Sequence, residues 1–160
     1  MKIGIMGGTF NPIHNAHLLI AEMAREEYGL DRVIFITDGN PPHKSANVTA
    51  KQRFEMTHIA IADNSAFEED DFEINRSEKS YTVNTLGYLK EKYPNNDLFF
   101  IIGEDSLNDF DKWYKPDKIL EMCSLLVFPR KSLKSLTETI KAVKEKMNGR
   151  IFPISAPVFR

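Results

Sequence analysis

The chain has 160 residues, 42% of them hydrophobic and 28% charged, with a formal net charge of −2 at pH 7. At roughly 100–200 residues per domain this is one domain, large enough to bury about two-thirds of its surface without disulfides. Near-neutral charge with the signs interspersed excludes the basic footprint of a DNA or RNA binder, though not a ligand held by a few local donors. The single cysteine, Cys123, has no internal partner and fits a reducing, cytoplasmic compartment. The stretch before the paired glycines is too short for a signal-peptide core, and no apolar run reaches the roughly 18 residues of a membrane span.

In chain order, Lys2–Met6 predicts a first strand and Ala16–Tyr28 a helix with Leu19, Ile20, Met23 and Ala24 on one face, ended by Gly29. Arg32–Thr37 predicts a second strand, followed by a helix over Lys51–Ala62 that carries Phe54, Met56, Ile59 and Ile61. Asp71–Ile74 reads as a third strand, and Thr82–Tyr93 as a helix that stops before Pro94. Leu98–Ile102 is apolar on both faces, the pattern of a buried parallel strand. Ser124–Phe128, an amphipathic helix over Leu133–Met147 and a last strand over Arg150–Ile154 complete the series. Strand and helix alternate without repeat or linker. The pattern predicts an α/β fold: a doubly wound, mainly parallel sheet with helices on both faces. Such sheets bind ligands at the carboxyl ends of their strands, so the loops after Met6, Thr37, Ile102 and Phe128 are the candidate sites.

The first of these loops reads Gly7-Gly8-Thr9-Phe10-Asn11-Pro12-Ile13-His14-Asn15-Ala16-His17. Paired glycines permit a sharp turn and a close approach to a ligand, and Thr9 adds a hydroxyl donor. His14 and His17, three apart, share one face of a helix start whose free N–H groups favour anions. The result is a phosphate cradle with two imidazole donors. The glycine spacing does not fit the dinucleotide fingerprint GxGxxG. A zinc site and two purely structural histidines are the competing readings. For zinc, no neighbouring cysteine or acidic pair completes the ligand set.

The segment Gly8–His17 resembles the nucleotidylyltransferase signature, a T/S-x-x-x-x-H-x-G-H loop, with Ala16 in place of the usual Gly and Asn11 in place of a frequent Asp. Further segments narrow the resemblance. Pro41-Pro42-His43-Lys44, Ser80-Tyr81-Thr82 with Thr85, Ile101-Ile102-Gly103-Glu104-Asp105, Lys112-Trp113-Tyr114-Lys115 and Pro129-Arg130 resemble, in order, segments of the bacterial nicotinate-mononucleotide adenylyltransferases.

That resemblance implies a Rossmann-like fold and transfer of the adenylyl group of ATP to nicotinate mononucleotide, in NAD biosynthesis. It implies that His14 and His17 act on the ATP phosphates, with Gly7, Gly8, Thr9, Phe10, Gly103, Asp105 and Arg130 also binding ATP. Asn40, Lys44, Tyr81, Thr82, Trp113 and Tyr114 would hold the mononucleotide, Trp113 by stacking on the pyridine ring. Mg²⁺ would enter with ATP, without a dedicated protein metal site. Nucleic acid and membrane are not expected partners, and self-association is left open. Phosphopantetheine adenylyltransferase is the nearest alternative, but its first loop differs and it lacks the PPHK and SYT segments. An enzyme for the nicotinamide mononucleotide is another, and a weakly active nucleotide-binding module of a longer protein a third. The third has a motive in the sequence. Family members continue with an I-S-S-T-x-I-R segment, whereas Ile154-Ser155-Ala156-Pro157 departs from it and Val158-Phe159-Arg160 resembles only its approach. The resemblance therefore predicts a domain truncated at its C-terminus.

Overall fold

The computed structural model describes residues 1–8, 10, 13–39, 49–76 and 81–155. Among them six strands form one parallel sheet: β1 (Lys2–Gly8), β2 (Arg32–Thr37), β3 (Phe67–Asp70), β4 (Asp97–Gly103), β5 (Ser124–Phe128) and β6 (Ile151–Pro153). The spatial order is β3-β2-β1-β4-β5-β6, so the winding reverses between β1 and β4. In a doubly wound sheet that reversal opens a crevice at the carboxyl ends of the two strands.

The two faces sort by alternation along each strand. Ile3 and Ile5 of β1, Ile34 and Ile36 of β2 and Leu125 and Val127 of β5 join one apolar cluster. It is covered by α3 (Thr82–Lys92), α4 (Glu104–Asn108), α5 (Pro116–Met122) and α6 (Leu133–Lys146). Met6, Val33, Phe35, Ile101 and Leu126 belong to the other cluster, under α1 (Asn15–Tyr28) and α2 (Ala50–Ile61). Cys123 is buried in the first cluster as an ordinary apolar side chain.

The predicted strands and long helices form, with instructive differences. Gly29 ends α1 in the left-handed region (φ 64°), where the absence of a Cβ removes the strain. Ser132 caps α6, its Oγ accepting from the Ser135 N–H at 3.0 Å. The predicted third strand is corrected. Residues 71–75 form turns, and the strand is the preceding Phe67–Asp70, held by parallel pairing with Val33–Ile36. The apolar residues of α2 do not by themselves mark its core face. Arg53, Thr57 and Ile61, spaced four apart, are buried, whereas Ile59 is 75% exposed. On α1 the buried face is Ile20, Ala21 and Ala24, which leaves Leu19 45% exposed.

Candidate active site

The turn after β1 does not fall on its glycines. Gly7 and Gly8 continue the strand, paired with Ile36 and Thr37, and among the described residues that follow, up to α1, the left-handed one is Phe10 (φ 49°). A left-handed non-glycine costs about 1–2 kcal/mol. Burial of the Phe10 ring, 4% exposed among Phe35 and the α1 side chains, offsets that cost. Phe10 is thus a core residue through its side chain.

Its ring edge meets His17 at 5.5 Å between centroids, an 81° contact that fixes the imidazole plane. The backbone N–H of His14, the residue that caps α1, donates to His17 Nδ1 at 3.0 Å. Nδ1 is therefore an acceptor, and the proton of the neutral ring sits on Nε2. Burial, and secondarily the nearby His14, lowers the pKa of His17 below its usual value. The two rings stack 5.8 Å apart, 17° from parallel. The pair lies at the start of the helix, over the carboxyl end of β1.

At the β1–β4 reversal is a cavity of ≈ 220 Å³, whose wall includes neither histidine. Gly7, Gly8, Ile36, Thr82, Phe100 and Trp113 contribute to its wall. Trp113 is half-buried, edge-on to Phe100 and 5.0 Å from the Phe110 ring, so one of its surfaces is anchored while the residue still lines the cavity. Thr82 opens α3, where the first-turn amides point toward the carboxyl end of the sheet. Tyr81 precedes it as the cap and packs on Tyr114, ring centroids 4.6 Å apart. Tyr114 itself is 48% exposed and does not line the cavity.

Three polar residues on the cavity wall were not singled out as ligands from sequence: Asp38, Glu73 and Thr85. Thr85 stands in the SYT-x-x-T segment, so its position was readable. Glu73 was hidden by the strand assigned to Asp71–Ile74. Its Oε2 accepts a 2.6 Å hydrogen bond from Thr85 Oγ1.

On the other side of the reversal, Gly103 ends β4 and caps α4, which begins with Glu104 and Asp105. Asp105 and Arg130 are paired with each other (Nη1 to Oδ1, 3.2 Å), both largely exposed. Beneath them Glu104, 6% exposed, accepts from the Arg130 backbone N–H and from the hydroxyls of Ser135 and Thr139. One buried carboxylate thus ties the end of β5 to α6. Thr9, Asn40 and Lys44 lie outside the described residues. Among the described residues no group of three or more His, Cys, Asp or Glu side chains is arranged to hold a metal. No helix there is long and apolar enough to cross a membrane.

The family model described as cytidylyltransferase-like matches residues 5–157. A probable nicotinate-nucleotide adenylyltransferase of Citrifermentans bemidjiense is 47% identical over 144 residues, covering 88% of this chain and 67% of the relative. One from Pelobacter propionicus is 45% identical, covering 94% and 70%. Among solved structures, a putative nicotinate-nucleotide adenylyltransferase of Vibrio parahaemolyticus superposes with a TM-score of 0.66 at 27% identity, covering 92% of this chain and 84% of its own. The Plasmodium falciparum nicotinic acid mononucleotide adenylyltransferase complexed with NaAD reaches 0.78 at 22% identity, covering 99% and 77%, a likeness of fold. The chain belongs to the cytidylyltransferase-like family and, within it, to the nicotinate-nucleotide adenylyltransferases.

Proposed function

We propose that this protein transfers the adenylyl group of ATP to nicotinate mononucleotide, releasing pyrophosphate. The observation that carries the reading is the cavity at the β1–β4 reversal. It brings Gly7–Gly8, which the family resemblance assigns to ATP, against Thr82 and Trp113, which it assigns to the mononucleotide, three segments far apart in sequence. Relatives 47% and 45% identical bear the corresponding name.

In this reaction a phosphate oxygen of the mononucleotide attacks the α-phosphorus of ATP. The bond from that phosphorus to the α,β-bridging oxygen breaks, and the electron pair leaves with pyrophosphate. The nucleophile is already an anion, so no strong base is required; alignment and charge stabilisation remain. His17, neutral with its proton on Nε2, donates a hydrogen bond to the phosphates without the desolvation cost of a buried cation. His14, more exposed, supports it from the helix cap. Mg²⁺, carried in with ATP as part of that substrate, would supply further neutralisation of the triphosphate charge. Arg130 exchanges Asp105 for an ATP phosphate, and Asp105 is released to accept from a ribose hydroxyl. Thr9, Phe10 (through its backbone) and Gly103 complete the ATP side. Asn40, Lys44, Tyr81 and Tyr114 complete the mononucleotide side. The first-turn amides of α3 favour a carboxylate on the ring, which selects the acid over the amide.

The test is product analysis after incubation with Mg·ATP and, separately, nicotinate mononucleotide, nicotinamide mononucleotide and phosphopantetheine. The dinucleotide of the acid is expected as the main product; its absence, or dephospho-coenzyme A in its place, refutes the assignment. A second expectation concerns Trp113. Trp113→Ala raises KM for the mononucleotide about tenfold, since a lost aromatic stack is worth roughly 0.5–1.5 kcal/mol beyond burial. Trp113→Phe restores most of it. A KM for ATP raised as much as that for the mononucleotide would place the ring elsewhere.

A further inference from the structure

Two acids, Asp38 and Glu73, line the cavity assigned to the pyridine mononucleotide. A ring carboxylate entering it as a third anion is repelled in a site partly shielded from water. Glu73 can relieve that conflict. Thr85, 4% exposed, commits its hydroxyl to Glu73 Oε2 at 2.6 Å, so that oxygen is an acceptor and a proton on this carboxyl belongs on Oε1. The charged groups facing Glu73 among the described residues are Asp38, just past β2, and Arg76, at the end of its own turn. From α3 the facing group is the neutral Thr85 hydroxyl. Burial, with a contribution from Asp38, pushes the Glu73 carboxyl up to about 7, while Thr85 and Arg76 pull it the other way. The proton is thus exchanged in the ordinary working range, not far below it.

We propose, building on the adenylyl-transfer reading above, that Glu73 is a specificity residue whose proton decides between the acid and amide mononucleotides. Protonated, it offers an O–H to the ring carboxylate and removes one of the two negative charges. Ionised, it repels the carboxylate and accepts from the amide NH₂ of the neutral analogue. The nicotinate carboxylate is ionised throughout the relevant range, so the change in selectivity belongs to the protein.

Trp113, the only tryptophan, reports binding by its fluorescence. The dissociation constants of both mononucleotides are measured from about pH 6 to about pH 9, for the wild type, Glu73→Gln and Thr85→Val. Both ligands carry the same phosphate, whose titration cancels in their ratio. In the wild type the preference for the acid is expected to fall above neutrality, approaching tenfold per unit of pH. Glu73→Gln, a permanent neutral donor, keeps the low-pH preference across the range. Thr85→Val removes the bond that holds the carboxyl down, so its transition moves to higher pH. A wild-type preference that ignores pH, or one that varies with pH just as much in Glu73→Gln, overturns the proposal while leaving adenylyl transfer standing. Failure of the wild type to bind either mononucleotide overturns both.

Discussion

Replacing His17 with alanine lowers turnover by about 10²–10³-fold, the usual cost of losing one preorganised donor to developing charge. The protein stays folded. His17 is not a core side chain; its loss removes an edge contact to Phe10 and an acceptor for the His14 N–H, together worth about 1 kcal/mol. KM for ATP changes less than kcat, because the hydrogen bond strengthens as charge moves onto the departing pyrophosphate. His17→Gln separates the two roles of the ring. Its longer side chain presents an amide N–H near the position of Nε2, so it recovers part of the rate that alanine loses. Steady-state kinetics alongside a thermal melt checks both statements, and near-normal turnover in the alanine variant removes His17 from the mechanism.

Gly39→Ala is the second large effect, and it acts through backbone. A Cβ at Gly39 would lie 2.0 Å from the carbonyl oxygen of Glu73 and 2.8 Å from Ile74 Cα. Neither neighbour can rotate aside, so the turn over residues 71–75 or the chain beyond β2 has to move. Overpacking of this kind costs about 1–3 kcal/mol. Asp38 and Glu73 stand on the two displaced segments and both line the cavity, so mononucleotide binding falls by at least tenfold while Arg130 and α6 are untouched. Calorimetry and separate KM values for the two substrates test this. Wild-type affinity for the mononucleotide, with a lowered melting temperature, would show that the turn relaxes without disturbing the cavity.

Much of the fold was legible because its strands are apolar on both sides. Arg32–Thr37 and Ser124–Phe128 were delimited to the residue, since turn and helix signals bracket them closely. Where local pattern and tertiary pairing disagreed, pairing prevailed. Phe67-Glu68-Glu69-Asp70 has one apolar residue and no strand propensity to speak of, yet it binds the edge of β2. Asp71-Phe72-Glu73-Ile74 alternates as a half-buried strand should, but Phe72 stacks on Tyr88 at 4.2 Å and Glu73 turns to the cavity. The core face of α2 could not be read from its apolar residues, because its buried positions include Arg53 and Thr57. Arg53 donates to the Asp38 carbonyl at 2.7 Å, a role no hydrophobic period reveals. The short helices α4 and α5 span one or two turns, too little for a period to register. The histidines, Thr82 and Trp113 were singled out through their motifs, and of these Thr82 and Trp113 line the cavity. Glu73 and Asp38 were not singled out, because their significance arises only when the two turns meet.

The two borders of the sheet have a consequence for how this protein meets copies of itself. On one side β3 is four residues long and three of them are acidic; on the other, β6 is three residues long and ends in Pro153. Among the described residues, a neighbouring chain seeking to add a strand finds only four residues at one border and, near the other, a missing N–H. Hydrogen-bonded growth of the sheet is discouraged at both ends, even though its interior strands are strongly apolar. The strand that sequence reading misplaced thus matters at the border of the sheet, where its four residues give little length for strand addition.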